Sequence, residues 1–222
     1  MKREVIKTAD GSMTIHIPEM NENYHSGHGA LQEAKHVFIQ NGLLEFKNRE
    51  DVVVFEMGFG SGLNAFLTLE SCESRNQKVQ YTGIEAFPVD YNMAKKMNYE
   101  AYVDSKISNL FLKMHELNWN EAHQLTELFS FQKLHQKIEN HIPKTESNDI
   151  IYFDAFGPRA QEAMWDISIL NKMHSLLKPG GLFVTYCAKG QLKRDLKSLG
   201  FRVESMQGPP GKREMTRGWK CC

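Results

Sequence analysis

Apolar positions along this chain fall into two rhythms. "VVVFEM" (Val52 to Met57) and "DIIYFDAF" (Asp149 to Phe156) are short, almost unbroken apolar runs, which predicts strands buried on both faces. "VQYTGIEA" (Val79 to Ala86), "LFSFQKL" (Leu128 to Leu134), "LFVTYC" (Leu182 to Cys187) and "FRVESM" read as further strands. Between them the spacing changes to three and four. Leu31, Ala34, Val37 and Phe38 mark one helix face, and a second helix starts at Leu63 and runs to Glu70 or beyond. A third carries Met164, Ile167, Leu170, His174 and Leu177, and "KGQLKRDLKSLG" is a basic fourth. "LKPGG" punctuates before the strand at Leu182. Strands alternating with helices predict an α/β fold, a mostly parallel sheet with helices on both faces.

The first residues stand apart. "VIKTADGSMTIHI" is two alternating runs around Asp10-Gly11, a small N-terminal β-hairpin. The last, "KREMTRGWK", reads as an antiparallel strand ending the sheet. With 222 residues and 41% hydrophobic content, one core is expected. The expected organisation is a single domain over 1–222, with a hairpin and lid or helix extension in 1–45 and the core in 50–222. Residues 88–147 are polar and helical in character and fit this scheme least.

Charge changes the picture only locally. Lys+Arg and Asp+Glu are 27 each, so the total argues neither for nor against a nucleic-acid partner. From Thr185 to Cys222, however, nine basic residues face three acidic ones, a local excess of six. That suits phosphate contacts, though a solvated helix face and a charged edge strand would read the same. "GPPGKREM" predicts a stiff turn presenting Lys212 and Arg213 together. The start has no apolar targeting segment and no run approaches about 18 apolar residues, so a cytoplasmic protein without membrane attachment is expected. Cys72, Cys187, Cys221 and Cys222 match neither a disulfide framework nor a zinc site. His25 and His28 lack a cysteine or acid partner nearby, and no metal is expected.

The candidate chemistry sits where strands end. Gly58, Gly60 and Gly62 separate a strand from a helix, the place where open parallel sheets bind ligands. A tight turn without a ligand would use the same glycines. Glu85 ends the next strand, 23 residues after Gly62, where a carboxylate accepts both ribose hydroxyls. The spacing G-x-G-x-G departs from the usual G-x-G-x-x-G of dinucleotide sites, and Glu56 precedes it. An acid there repels a pyrophosphate but suits a cation; S-adenosyl-L-methionine carries a sulfonium, an ammonium and no phosphate. A helix-dipole or loop contact is the alternative for Glu56.

Asp154, at the end of the "DIIYFD" strand, faces the same crevice. A carboxylate there can orient an amine and take its proton, or cap the next helix. Phe156 and Pro158 would hold an acceptor rigidly. "NYHSGHGA" predicts a lid in which Ser26 lends polar contacts; Glu33 follows on the first helical turn, where an exposed helix acid is the alternative. Tyr24, Phe156 and Trp165 are candidate stacking partners for a splayed-out base.

Six stretches together resemble one family: "HSGHGALQEAKHVFI", "EMGFGSGLNAF", "YTGIEAFP", "DIIYFDAFGPRAQEAMW", "LLKPGGLFVTY" and "GPPGKREM". They are similar to the methyltransferase part of the bifunctional tRNA 5-methylaminomethyl-2-thiouridine biosynthesis proteins (MnmC), and more so to their stand-alone relatives (MnmD). The resemblance implies a Rossmann-like methyltransferase fold and methyl transfer from S-adenosyl-L-methionine to 5-aminomethyl(-2-thio)uridine, at the wobble position in the anticodon of tRNA. It assigns Glu56, Gly58, Gly60, Gly62, Glu85 and Asp154 to the cofactor, and places Asp154 at the transfer site. Ser26, Glu33, Phe156, Pro158, Lys212 and Arg213 are the expected substrate contacts. The flavin-dependent oxidase of the bifunctional members has no counterpart in the sequence, so an aminomethyl substrate made by other enzymes is expected. After the third parallel strand the sequence reads "KLHQKIEN", which leaves the adenine contact unassigned, with Gln136 a candidate. An oxidoreductase acting on CH–NH groups with a nucleotide cofactor and a non-catalytic RNA-binding module are the alternative functions.

Overall fold

A computed structural model describes every residue except Pro143 and Cys222. Eight strands form the central sheet. In chain order its strands are β4 (Asp51–Met57), β5 (Lys78–Glu85), β6 (Ala122–Gln124), β7 (Phe129–His135), β8 (Asn148–Phe153), β9 (Leu177–Thr185), β10 (Phe201–Gln207) and β11 (Glu214–Lys220). They lie in the order β10-β11-β9-β8-β4-β5-β7-β6. The pairs β4–β5, β4–β8, β5–β7 and β8–β9 are parallel. After β4 the chain builds outward to β5 and β7; it then returns to place β8 on the other side of β4. The switch of direction therefore lies between β4 and β8, where such sheets hold their ligands. β8 is buried at every position, as a strand covered on both faces must be.

Two terminal features refine the expectations. β11 is antiparallel to both β9 and β10 and is inserted between them, so the sheet edge is β10 rather than the last strand of the chain. The N-terminal hairpin, β1 (Glu4–Lys7) with β2 (Met13–Ile17), gains a two-residue third strand, β3 (Glu22–Asn23).

The helices are α1 (Ala30–Ala34), which continues as a π turn over Lys35–Gln40, then α2 (Leu63–Arg75), α3 (Tyr91–Met97), α4 (Leu110–Glu116), α5 (Ile167–Leu176) and α6 (Gly190–Ser198). α5 starts later than the apolar spacing suggested. The Asp166 side chain accepts from Ser168 N at 2.8 Å and sets the start, leaving Met164 on a separate 3₁₀ turn, Glu162–Trp165. Ile167 is consequently 47% exposed, while Ile169, Leu170, Met173 and Leu176 face the core and Leu177 already belongs to β9. The "LKPGG" punctuation is a bulge within β9: Asn148 pairs with Leu177 and Ile150 with Leu182.

Residues 88–127 hold α3 and α4, which pack together, and α3 packs against the N-terminal hairpin. Tyr99 and Tyr102 donate their hydroxyls to the carbonyls of Met13 and Gly11 at 3.0 and 2.8 Å. Among the described residues no helix is long and apolar enough to cross a membrane. Cys72 and Cys187 are buried and Cys221 is exposed, all as free thiols; Cys222 lies outside the described residues.

Candidate active site

A cavity of about 620 Å³ opens beyond the carboxyl ends of β4, β5, β7 and β8. The loop Gly58–Gly62 forms one wall. All three glycines have positive φ, +90°, +52° and +78°, which an L side chain adopts only under strain. What lies nearest to them is protein. A Cβ on Gly58 would sit 2.5 Å from the Asp154 carbonyl oxygen, one on Gly60 3.2 Å from the Tyr24 ring, and one on Gly62 2.9 Å from Phe59 and 3.1 Å from His115. The bare main chain thus lets β4 and β8 close on each other at the switch point, where Asp154 N also donates to Met57 O at 2.9 Å.

Glu85 stands on the cavity wall. Its two oxygens accept from Gly60 N at 2.9 Å and Phe87 N at 2.8 Å, which fixes the carboxylate and leaves lone pairs on both atoms for a ligand's hydroxyls. The segment after β7 supplies the neighbouring wall through Gln136, Lys137, Ile138 and Glu139. That is the stretch whose partner the sequence left open.

Glu56 is placed differently from the expectation. It is 0% exposed and lies beneath the loop, away from the cavity wall. Desolvation pushes its carboxyl well above the usual range, and the charges of Asp154 and Glu85 add to the effect. Covered by the loop, it makes no ion pair with a cation in the cavity. What it holds is Asn64, the second residue of α2, which is on the wall. Asn64 Nδ2 donates to Glu56 Oε1 and to Asp154 Oδ2, both at 2.8 Å. Nothing in the residue pattern marked Asn64, because its partners come from two other strands.

Asp154 faces the cavity. Desolvation, then the negative charge of Glu33, pushes its pKa up to about 7; the Asn64 hydrogen bond and the Lys212 ammonium pull the other way. Phe156 lines the same wall and meets Tyr24 edge-on, ring centroids 5.3 Å apart. Trp165 packs against Phe153 in the core and donates to Phe156 O at 2.7 Å, so it props the wall from behind. Pro158 does not reach the cavity, since the chain turns outward after Gly157.

The N-terminal loop closes the remaining side. Tyr24, His25, Ser26 and Gly27 line the cavity, and Ser26 N donates to Glu33 Oε1 at 2.9 Å. Glu33 is buried rather than an exposed helix acid, and it is ion-paired with Lys212. The Gly208–Gly211 turn does not present Lys212 and Arg213 together. Lys212 turns inward over the Tyr186 ring, 3.8 Å from its centroid, and Arg213 points to solvent. The basic C-terminal excess is also largely spent within the fold. Lys193 pairs with Glu214, Arg202 with Glu204, Arg217 with Glu45 and Glu204, and Lys220 with Glu146.

The donor set distinguishes between nucleotide cofactors. Five acids, Glu22, Glu33, Glu85, Glu139 and Asp154, line the cavity against three basic side chains: Lys212, paired with Glu33, Arg3, tied to the carbonyls of Phe87 and Pro88, and Lys137. This wall disfavours a pyrophosphate and suits a cationic nucleoside. A family model described as S-adenosyl-L-methionine-dependent methyltransferase matches residues 98–221. The chain belongs to that methyltransferase family. The methyltransferase takes S-adenosyl-L-methionine as its methyl donor, which removes the oxidoreductase alternative, and the family is one of enzymes rather than bare RNA-binding modules.

Among curated proteins, the tRNA 5-methylaminomethyl-2-thiouridine biosynthesis bifunctional protein MnmC of Cupriavidus metallidurans is 29% identical over 226 residues, 96% of this chain and 33% of that protein. The corresponding protein of Campylobacter jejuni is 29% identical over 216 residues, 90% of this chain and 34% of that one. The chain spans about a third of the length of these relatives. The crystal structure of MnmC2 from Aquifex aeolicus superimposes with a TM-score of 0.78, covering 98% of this chain and 70% of that one at 23% identity. The CurJ carbon methyltransferase superimposes with a TM-score of 0.53 over 90% of this chain at 13% identity. Both show the shared fold.

Proposed function

We propose that this methyltransferase methylates the primary amine of 5-aminomethyl(-2-thio)uridine at the wobble position of cytoplasmic tRNA, giving the 5-methylaminomethyl base. One observation carries the reading: Asp154 faces the cavity at the switch point, beside the glycine loop, with Tyr24 and Phe156 on the adjoining wall. The names of the bifunctional relatives support the same substrate.

When bound, the donor supplies an electrophilic methyl group on a sulfonium. Gly58, Gly60 and Gly62 shape the wall it lies on, and Glu85 accepts from its ribose. Gln136 and Ile138 lie where its base would rest. The acceptor amine enters past the joined rings of Tyr24 and Phe156, which flank the uracil. Asp154 accepts one N–H of that amine and aims the lone pair at the methyl carbon. The sulfonium would supply the methyl to the amine nitrogen and leave as the thioether with the C–S electron pair, and the proton released from the amine would pass to Asp154. A carboxylate with a pKa of about 7 is matched to this task near neutral pH. Most of the acceleration comes from holding the amine in line.

The tRNA backbone needs cations at the mouth. Lys137 follows β7, Arg159 follows β8, Lys189 follows β9, and Arg213 precedes the antiparallel β11. All four are exposed, at the carboxyl-end face of the sheet, and in no ion pair among the described residues. They replace the paired C-terminal lysines and arginines as the phosphate contacts.

The test is transfer from labelled donor to tRNA carrying 5-aminomethyluridine, beside the same tRNA lacking the aminomethyl group. Label in the first alone is expected. Label in both, or in neither, sinks this substrate.

A further inference from the structure

Asn64 is where the two buried acids of the site meet. It is 2% exposed, and its one side-chain nitrogen spends both hydrogens on carboxyl oxygens, Glu56 Oε1 and Asp154 Oδ2, each 2.8 Å away. As placed, the amide gives both its hydrogens to the two acids; the reverse rotamer would set its oxygen against Asp154 Oδ2. Asn64 is the only side chain among the described residues that donates to Asp154. Glu56 in turn is held at the end of β4, fully covered, facing Tyr81.

We propose that Asn64 is a positioning residue for methyl transfer, held in place by Glu56, which ties down Oδ2 of Asp154 and leaves Oδ1 for the acceptor amine. This rests on the reading of Asp154 as the transfer-site carboxylate. It gives Glu56 a role different from a contact with the donor's positive charge. Burial disfavours the charged form of the Glu56 carboxyl, and its Oε1 serves as the acceptor that holds Asn64. The Asn64 amide, by contrast, stabilises the charged form of Asp154.

Several groups bear on Asp154 from the surrounding elements. Glu33 on α1 raises its pKa, and Lys212 ahead of β11 lowers it. Glu56 on β4 and Tyr81 on β5 lie below, and Tyr186 after β9 faces it with a hydroxyl that donates to Ala155 O at 2.8 Å and whose own pKa is raised well above the usual value. Glu85 on β5 acts on the same cluster through Glu56. Of these neighbours, only Asn64 is neutral at every pH and hydrogen-bonded to the carboxylate itself. Its removal therefore leaves the surrounding charges in place.

The deciding measurement is the carboxyl ¹³C titration of Asp154, assigned against Asp154→Asn, in the wild-type protein and in Asn64→Ser and Asn64→Ala. Asp154 is expected to titrate at least about half a unit higher in both variants. On aminomethyl tRNA, kcat should fall about 10-fold at pH 7 with KM within about threefold, and the acid limb of the rate should move up by the same half unit. An Asp154 titration that stays within about 0.2 units in both variants overturns the proposal, as does a kcat within twofold of wild type. The serine variant, nearly isosteric at the first atoms, covers the case in which the alanine variant does not fold. Glu56→Gln adds a separate arm. The ratio of affinities for S-adenosylmethionine and the uncharged S-adenosylhomocysteine should stay within about twofold of wild type; a selective loss of the cationic ligand of about 10-fold would return Glu56 to direct contact with the donor. Because the titration needs no substrate, it decides the role of Asn64 even if wild-type protein leaves aminomethyl tRNA unmethylated.

Discussion

Glu33 and Lys212, 179 residues apart in the chain, form an ion pair on the cavity wall. The pair joins α1 to the turn before β11, and the same turn packs on the N-terminal loop: a Cβ on Gly211 would land 2.1 Å from the His28 ring. Both members act on Asp154, with opposite signs.

Removing the cation alone should therefore unbalance the site. In Lys212→Met, two carboxylates face each other without a counter-charge, and Asp154 becomes harder to ionise. The acid limb of kcat/KM should move to higher pH, with activity at pH 7 down about 10-fold. Glu33→Gln in the same protein should restore part of the loss, a coupling of about 1–2 kcal/mol in a double-mutant cycle. Additive effects would show that the pair does not act on Asp154.

Asp154 itself should cost stability. Its folded pKa of about 7 stands above the ordinary 3.8, so the folded state holds a proton more readily than the unfolded chain. The cost is absent below about pH 4, where both states are protonated, and complete above about pH 7. Asp154→Asn should abolish transfer yet stabilise the fold at pH 8, on the order of 2 kcal/mol after screening by water in the cavity, with the gain gone by pH 4. Urea denaturation at both pH values measures it; a destabilised variant at pH 8 contradicts the burial argument.

Glu85→Ala removes the acceptor for ribose hydroxyls and also frees Gly60 N and Phe87 N. The affinity for S-adenosylhomocysteine should drop about 30-fold, some 2 kcal/mol by calorimetry, since charged acceptors are worth more than neutral ones. Glu85→Gln, which can still accept with one oxygen, should fall between. Equal binding by all three proteins would place the ribose elsewhere.

His115 supports the glycine loop from outside. Its Nε2 donates to Ser61 O at 3.1 Å, and Tyr99 reaches the Ser61 hydroxyl at 3.2 Å. This gives the 88–127 segment a purpose: it braces the donor wall and the N-terminal hairpin at once. Burial holds the His115 pKa down at about 4, against 6.5 in the unfolded chain. The stability it contributes is thus full above about pH 6.5 and lost as pH falls through about 4. His115→Ala should lower Tm by several degrees and weaken S-adenosylhomocysteine binding about fivefold, and should reduce the acid sensitivity of folding between pH 6.5 and 4. Unchanged ligand binding would confine His115 to packing.

Local pattern and chain order settled much of this protein. The all-apolar runs at Val52 and Asp149 could only be covered strands, and strand–helix alternation then required a parallel sheet. Glycines after one strand, Glu85 after the next and Asp154 after the fourth parallel strand follow from that order, because the carboxyl ends of parallel strands share one face. The tertiary structure decided where side chains point and what they meet. Glu56 is one residue from a loop facing the ligand, yet the strand's alternation turns it under the loop; the turn ahead of β11 sends Lys212 inward over Tyr186 and Arg213 out. Nine basic residues between Thr185 and Cys222 looked like a phosphate surface until distant Glu45, Glu146 and Glu33 took up three of them. Asn64 gave no signal at all, since a hydrogen bond between α2, β4 and the end of β8 exists only once those three elements have met. Sequence carries the periodicities that short-range sterics impose; direction and partnership belong to the packed chain, where a carboxylate's charge, and so its chemistry, depends on neighbours that the linear order keeps apart.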